Sequence, residues 1–148
     1  MQPVIKTMQV RCSIEHAFRV FTTRVDQWWP PNHRAVDGST LQFEPTVGGA
    51  FVEEAPDGRL MELGRVLRWD PPHGIAYTWH RGSGNRPTRV EVVFAAVPEG
   101  TVVTVRHDVG ESGLGAEWPE RARGFARAWG HLHDAFVSFI DRNQESQP

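Results

Sequence analysis

Residues 118–142, WPERARGFARAWGHLHDAFVSFIDR, carry the longest helical pattern in this sequence and decide its fold. Apolar residues recur there at steps of three and four, which places them on one face of a helix. Pro119 suits the first helical turn, where its missing N–H is not needed. Because this face carries Phe and Trp in place of the usual Leu and Ala, we expect a large concave partner, a curved antiparallel sheet, with any functional site between the two. The residues of the apolar face are Ala122, Phe125, Trp129, Leu132, His133, Phe136, Phe139 and Ile140.

The chain before this helix predicts one strand, two short helices and then about six consecutive strands. Residues 4–11 alternate as a strand, and Ser13 has the side chain of a helix N-cap. A second short helical piece ends at Pro30, which cannot continue it. Consecutive strands joined by short turns pair antiparallel, and a run of strands closed by a helix indicates an α+β fold with the helix covering one sheet face. The Gly-rich segment 81–87 is predicted to be a loop between two of these strands.

Length and composition indicate one globular domain spanning residues 1–148, with a polar, frayed tail at 143–148. With 148 residues, the chain is long enough to bury a sizeable core. A net charge of −2 gives no basic excess that would favour a nucleic acid partner. We find no apolar run long enough for a signal peptide or a membrane span, so we expect a cytoplasmic protein. Cys12 is the only cysteine, which excludes an internal disulfide.

Six short motifs, spread over nearly the whole chain in a fixed order, identify a family. Together they resemble the activator-of-heat-shock-ATPase-like branch of the START, polyketide cyclase and birch-pollen allergen superfamily. The motifs are WWP at 28–30, VGGAF at 47–51, GRVLRWDPP at 64–72, IAYTWH at 75–80, GTVVTVRHDVGE at 100–111 and AWGHLHDAF at 128–136.

The resemblance implies a helix-grip fold, in which a curved sheet of about seven strands wraps the long C-terminal helix around a cavity. Members of the superfamily bind lipids, hormones or polyketides, and some catalyse cyclisation or hydrolysis. Our first hypothesis is therefore binding of a small apolar or amphipathic molecule, with no cofactor. One alternative is a cyclase or hydrolase that uses a histidine in the cavity. The other is an interaction module with a filled core, with a chaperone as partner, and the family also implies that a homodimer is possible.

Large aromatic side chains and two histidines are the candidates for lining the cavity. Trp79 and Trp129 are the best wall residues, because they lie on the predicted inner faces of a strand and of the last helix. A packed core is the competing explanation for most of these residues. The candidate ligand-binding residues are Trp28, Trp29, Phe43, Phe51, Trp69, Tyr77, Trp79, Phe94, His107, Phe125, Trp129 and His133.

His107 and His133 are the candidates for catalysis. His107 continues the inward alternation of the last strand, and His133 lies one turn beyond Trp129 on the apolar face of the helix. A neutral imidazole in an apolar cavity can orient a ligand or transfer a proton. The alternative is a structural histidine whose nitrogens are bonded to neighbouring groups. No metal site is predicted, because His131 and His133 face about 200° apart on a helix and no HxxxH or HExxH motif occurs.

Charged residues on two predicted strands offer one further hypothesis. Glu53 alternates with Phe51, and Arg65 alternates with apolar neighbours, so both charges fall on predicted inner faces. A charge on an apolar face is either paired or functional. An inward pair of Glu53 and Arg65 would bind a polar group of a ligand; the alternative is that both side chains face water.

Overall fold

The computed structural model describes residues 2–80 and 86–143. Residues 81–85 of the predicted Gly-rich loop and residues 144–148 of the predicted tail lie outside the described residues. Within the described part, no helix has the length and apolar content that crossing a membrane requires.

The order of elements is the predicted one, with seven strands and a long final helix. Two additional short 3-10 helices, Pro31–His33 and Gly115–Glu117, were not predicted. The helices are α1 Ile14–Thr22, α2 Val25–Trp28 and α3 Trp118–Arg142. The strands are β1 Val4–Val10, β2 Thr40–Phe43, β3 Ala50–Glu54, β4 Leu60–Asp70, β5 Gly74–Trp79, β6 Thr88–Val97 and β7 Gly100–Asp108.

The strands form one antiparallel sheet in the order β1-β7-β6-β5-β4-β3-β2. Every neighbour after the first pair is also a neighbour in sequence, which is typical of consecutive antiparallel strands. On one face, a row of directly paired residues crosses four strands, from Tyr77 through Val90 and His107 to Val4. All four are buried, so this face of the sheet is the one that meets the core.

Helix α3 packs its aromatic face against the sheet, as the sequence predicts. Its buried residues include Trp129, Leu132 and Phe136, which belong to the same core cluster as the buried strand residues. Burying each such side chain stabilises the fold by about 1.5–3 kcal/mol. The start of the helix is tied to the beginning of the chain, where the Trp118 indole N–H donates to the carbonyl oxygen of Gln2 at 2.7 Å.

Helices α1 and α2 cover the same core from the other end. Ser13 is the N-cap of α1, as predicted, and its Oγ accepts a hydrogen bond from the backbone N–H of His16 at 3.1 Å. Phe21 of α1 contacts the rings of both Trp28 and Phe136 at 5.1 and 5.4 Å between centroids. These contacts join α1, α2 and α3 into one aromatic layer.

A β-bulge in β4 overturns the prediction for Arg65. Phe51 pairs with Gly64 but Val52 pairs with Glu62, so Leu63 is an extra residue on β4. Beyond the bulge the alternation is reversed: Arg65 is exposed and its side chain forms an ion pair with Glu62 at 2.7 Å. A strict period of two, which the sequence interpretation assumed, cannot show such a reversal.

Gly64 is required at this bulge by a close approach. A Cβ atom built on Gly64 would lie 1.7 Å from the carbonyl oxygen of Thr78 on β5. Any side chain there would force β4 and β5 apart.

Glu53 is inward, as predicted, but it holds a loop together. Its carboxylate accepts hydrogen bonds from the backbone N–H groups of Ala35 and Val36 at 3.1 and 3.0 Å and from the Ser39 hydroxyl at 2.7 Å. The side chain is completely buried. The predicted inward pair with Arg65 is therefore wrong, and Glu53 fixes the segment that follows the 3-10 helix Pro31–His33.

Candidate functional site

A cavity of about 280 Å³ lies between α3 and the buried face of the sheet. One wall comes from β5 and β7, and the opposite wall comes from the middle of α3. Trp29 and the 3-10 helix Pro31–His33 close the third side. The lining residues are Trp29, Asn32, His33, Trp79, His107, Phe125, Ala128, Trp129 and Leu132.

A chain of hydrogen bonds at the cavity joins α3 to three strands. The Trp129 indole N–H donates to Nδ1 of His107 at 3.1 Å. Since Nδ1 accepts, the neutral imidazole carries its proton on Nε2, which donates to Oγ1 of Thr88 at 2.8 Å. The Thr88 hydroxyl then donates to the carbonyl oxygen of Trp79 at 3.2 Å. Every polar atom of the three side chains is thereby paired.

His107 is a neutral structural group in this state. Burial lowers its pKa from 6.5 to about 3, because the charged imidazolium would lose its hydration. Phe125 covers the imidazole ring, with 4.1 Å between centroids. With both nitrogens engaged and the ring uncharged near neutral pH, His107 has no free site for general acid or base catalysis. The interpretation of His107 as a satisfied histidine, given above as the alternative, fits this geometry.

Two histidines from distant parts of the chain meet beside the cavity, of which His33 lines it. Nε2 of His33 lies 3.0 Å from Nδ1 of His131 on α3. The indole N–H of Trp29 donates to the backbone carbonyl of His33 at 3.2 Å. These contacts fasten the segment 29–33 to the helix, so that Trp29 forms the cavity wall.

An aromatic cluster continues from the cavity into the core along the sheet. The Phe51 ring contacts Trp29 at 5.8 Å and Trp79 at 6.2 Å on the cavity side. On its other side it contacts Tyr77 at 5.5 Å and stacks on Phe43 at 3.9 Å. The Tyr77 side chain is buried, and its hydroxyl oxygen has no hydrogen-bond partner among the described residues.

A family sequence model for "Activator of Hsp90 ATPase homolog 1-like protein" matches residues 11–141. The chain belongs to this family. The seven-stranded sheet that grips a long C-terminal helix is the helix-grip fold that the resemblance implied. No curated protein has a sequence that matches this chain significantly.

Solved structures similar to this family member fall into two kinds. An anthrahydroquino-γ-pyrone synthase, Txn09, is 34% identical over 93% of this chain and 88% of its own, with a TM-score of 0.55. Protein MLL2253 from Mesorhizobium loti is 20% identical over 95% of this chain and 98% of its own, with a TM-score of 0.69. SA2116 from Staphylococcus aureus, a protein of unknown function, is 13% identical over 97% and 96%, with a TM-score of 0.70. The latter two show the fold alone.

The predicted lining residues divide into those that reach the cavity of this family member and those that pack beneath it. Trp29, Trp79, His107, Phe125 and Trp129 line the cavity. Trp28, Phe43, Phe51, Tyr77 and Phe94 are buried in the core cluster, and Trp69 is packed against that cluster. The packed-core explanation therefore describes the second group in the present state.

His133 does not join His107. Its Nδ1 lies 2.9 Å from a carboxylate oxygen of Asp134, and about a third of its side chain is exposed. It lines a groove on the outside of α3, beside Lys6 and Thr7 of β1. The prediction that His133 points into the cavity is wrong, because a helical face of eight residues spans more of the helix surface than one cavity covers.

Four lining residues were missed by the sequence interpretation. Leu132 belongs to the predicted apolar face, and Ala128 is next to Trp129, so a projection of the helix could have identified both as lining residues. Asn32 and His33 lie in a segment predicted to be loop, and no periodic pattern marks them. Their position depends on the contact with His131, which is 98 residues away.

Two kinds of reactive group, a metal cluster and a thiolate, can be checked among the described residues. Among residues 2–80 and 86–143, no cluster of three or more His, Cys, Asp or Glu has a geometry that could hold a metal ion. Cys12 is buried, and desolvation raises the pKa of its thiol to about 11, which keeps it protonated near neutral pH.

Proposed function

We propose that this protein binds a small, flat aromatic molecule in the cavity between the sheet and α3. The observation that carries the proposal is the composition of the cavity walls. Indole rings from the sheet side, the helix and the connecting segment, those of Trp79, Trp129 and Trp29, face one space. Asn32 and His33 add polar groups to the same lining, and aromatic walls with a small number of polar groups are typical of sites that hold small ligands.

The relative named as an anthrahydroquino-γ-pyrone synthase supports the choice of ligand class. That name describes a fused aromatic ring system with oxygen substituents, and the relative is 34% identical to this chain. The indole walls suit such a molecule, because aromatic rings prefer offset-stacked or edge-to-face contacts with one another. The ligand proposed for this chain is accordingly a polycyclic aromatic compound that carries oxygen atoms.

Native mass spectrometry of the purified protein, followed by solvent extraction, tests the proposal. We expect a co-purifying aromatic compound, or binding of anthraquinone-2-sulfonate when it is added. Ala128→Phe places a ring in the cavity and should abolish binding. Ala126→Phe is the matched control, because Ala126 lies on the same helix but lines the outer grooves. Equal binding by both variants would show that the ligand binds outside this cavity.

A second candidate function is ring closure in a ligand of this class, and the 34% identical synthase is the observation that favours it. Without a free nitrogen on His107, such catalysis would depend on folding the substrate between the indole rings, which brings reacting groups together. The test is chromatography of the extracted ligand after incubation with fresh protein. A new product formed by the natural protein and not by Ala128→Phe would support catalysis.

The expected homodimer, the chaperone partner and the cytoplasmic location stay predictions. An outer groove of about 590 Å³ lies between β1 and the start of α3, and its lining is mostly apolar. Size-exclusion chromatography with light scattering would show whether the chain self-associates.

A further inference from the structure

Tyr77 carries a polar atom that the folded chain does not use. The residue lies on β5 and is almost fully buried, and its ring meets Phe43 and Phe51 edge-on at 5.3 and 5.5 Å. Among the described residues no group is placed to bond its hydroxyl. A buried hydroxyl without a partner destabilises a fold relative to phenylalanine, which has the same shape without the polar atom. A hydrogen bond to a group outside the folded chain would explain why a tyrosine, and not a phenylalanine, occupies this position.

The position of Tyr77 relative to the cavity suggests that use. It occupies the same cross-strand row as His107, with Val90 between them. Two strand spacings separate Tyr77 from His107, which is roughly 10 Å between Cα atoms. Trp79, which lines the cavity, is two residues further along β5 on the same face. Tyr77 thus lies beside the cavity, with the Phe51 ring between them.

The other buried polar atom without a partner does not share this position. Nδ1 of His16 is also unpaired among the described residues. That residue lies on α1, and its nearby charges are Arg19 and Arg24. It is not part of the sheet row that borders the cavity, so of the two unpaired atoms only the Tyr77 hydroxyl belongs to that row.

The size of the cavity gives the second argument. A volume of about 280 Å³ is slightly below the range of roughly 300–1,000 Å³ that pockets for drug-sized ligands occupy. A polycyclic ligand that carries substituents would need additional space. The Phe51 ring separates the cavity from Tyr77: it contacts Trp79 and Trp29 at 6.2 and 5.8 Å between centroids on the cavity side, and Tyr77 and Phe43 at 5.5 and 3.9 Å on the other. Movement of this ring would extend the cavity toward Tyr77.

We infer that the Tyr77 hydroxyl donates a hydrogen bond to a ring carbonyl oxygen of the bound aromatic ligand, in an extension of the cavity that opens when the Phe51 ring moves. The inference rests on the proposed function and names its specificity determinant. Burial raises the pKa of the Tyr77 phenol, so the group stays protonated and acts as a donor. A quinone or aromatic ketone offers the matching acceptor, and a hydrocarbon of the same shape does not.

Two probes of the same shape test this bond by titration calorimetry. Anthraquinone-2-sulfonate and anthracene-2-sulfonate share a flat three-ring skeleton, and only the first carries ring carbonyls. We expect Tyr77→Phe to weaken binding of the quinone about tenfold, the effect of one lost buried hydrogen bond, and to leave binding of the anthracene unchanged. That pattern assigns the carbonyl contact to Tyr77.

The other outcomes overturn the inference in distinguishable ways. Unchanged affinity of both probes would show that the hydroxyl does not contact the ligand. An equal loss for both would show that Tyr77 shapes the site without bonding the carbonyl. If neither probe binds the natural protein, the proposed function fails for flat three-ring ligands and the inference fails with it.

The melting temperature of the ligand-free variant is an independent check. If the hydroxyl is unpaired without ligand, Tyr77→Phe should melt at or above the temperature of the natural protein. A fall of more than about 3 °C, significant for a domain of this length, would show that the hydroxyl already has a partner. In that case the Tyr77 hydroxyl is not available to bond a ligand.

Discussion

At the scale of single residues, the role of His107 follows from its two hydrogen bonds. Trp129 donates to one ring nitrogen and Thr88 accepts from the other, so the imidazole connects α3 to β6 and β7. Protonation of Nδ1 would replace an acceptor with a second donor that faces the indole N–H. The bond to Trp129 would be lost and a charge would be buried.

The first prediction concerns the pH dependence of stability. The pKa of His107 is about 3 in the folded protein and about 6.5 when unfolded. The unfolded chain therefore binds the proton more readily; the stabilisation is fully present above pH 6.5 and is lost as pH falls toward 3. Each pH unit within this window costs about 1.4 kcal/mol. Between pH 6.5 and 5, we expect the natural protein to lose about 2 kcal/mol more unfolding free energy than His107→Gln.

Urea unfolding at a series of pH values measures this difference. Glutamine retains an acceptor for the Trp129 indole and a donor for Thr88 but does not titrate. His16, whose pKa is also lowered by burial and by Arg19 and Arg24, is present in both proteins and cancels in the comparison. Parallel stability curves for the two proteins would contradict the assigned state of His107.

At the scale of elements, the interface between α3 and the sheet depends on Trp129. The side chain is 4% exposed and supplies both a buried ring and the donor for His107. We predict that Trp129→Ala lowers the unfolding free energy by about 3–5 kcal/mol, the usual range for truncating a buried aromatic. Denaturant titration followed by circular dichroism gives the value.

Trp129→Phe is the matched control that separates packing from hydrogen bonding. Phenylalanine keeps most of the ring but leaves Nδ1 of His107 without a donor, which costs about 1–3 kcal/mol. If Trp129→Phe lowers the unfolding free energy nearly as much as Trp129→Ala, the hydrogen bond carries most of the effect. A loss below about 1 kcal/mol for alanine itself would mean that this face of α3 is not buried.

The elements were largely predictable from the sequence because their signals are local. Helix α3 occupies Trp118–Arg142, the residues of the predicted pattern, since its period and its early Pro119 are features of the segment itself. Ser13 likewise caps α1 through a contact only three residues long. Features that depend on pairing were missed: the bulge at Leu63 requires the register with β3, and the contact between His33 and His131 requires the folded chain.

The same difference between local signals and long-range contacts explains which residues of the candidate site were predicted correctly. Alternation correctly placed Trp79 and His107 on the inner face, and the helical period placed Trp129 opposite them. Which aromatics line a cavity and which fill the core is decided by distances of a few ångströms. Phe51 and Tyr77 share the inner face of the sheet with Trp79, yet they are covered by neighbouring rings. Sequence periodicity does not distinguish an aromatic residue that lines the cavity from one that fills the core.

At the scale of the whole molecule, one core cluster contains residues from every strand and from all three α-helices. Strand β1 at one end of the sheet packs on α3, and α2 packs on β2 near the other end. No group of elements in the described part of the chain has a separate core. Removing one element would expose apolar surface on several others, which is the condition for a cooperative transition.

We therefore predict a single two-state unfolding transition for the chain, as expected of one domain. Its tryptophans report on different regions: Trp28 and Trp29 on α2 and its end, Trp69 on β4, Trp79 on β5, and Trp118 and Trp129 on α3. With 5-fluorotryptophan incorporated, the six ¹⁹F resonances should lose native intensity at the same urea concentration, in step with circular dichroism. Earlier loss at Trp118 alone would indicate fraying of the helix start. Separate midpoints for the β4–β5 and α3 resonances would instead divide the molecule into two units and contradict the single core.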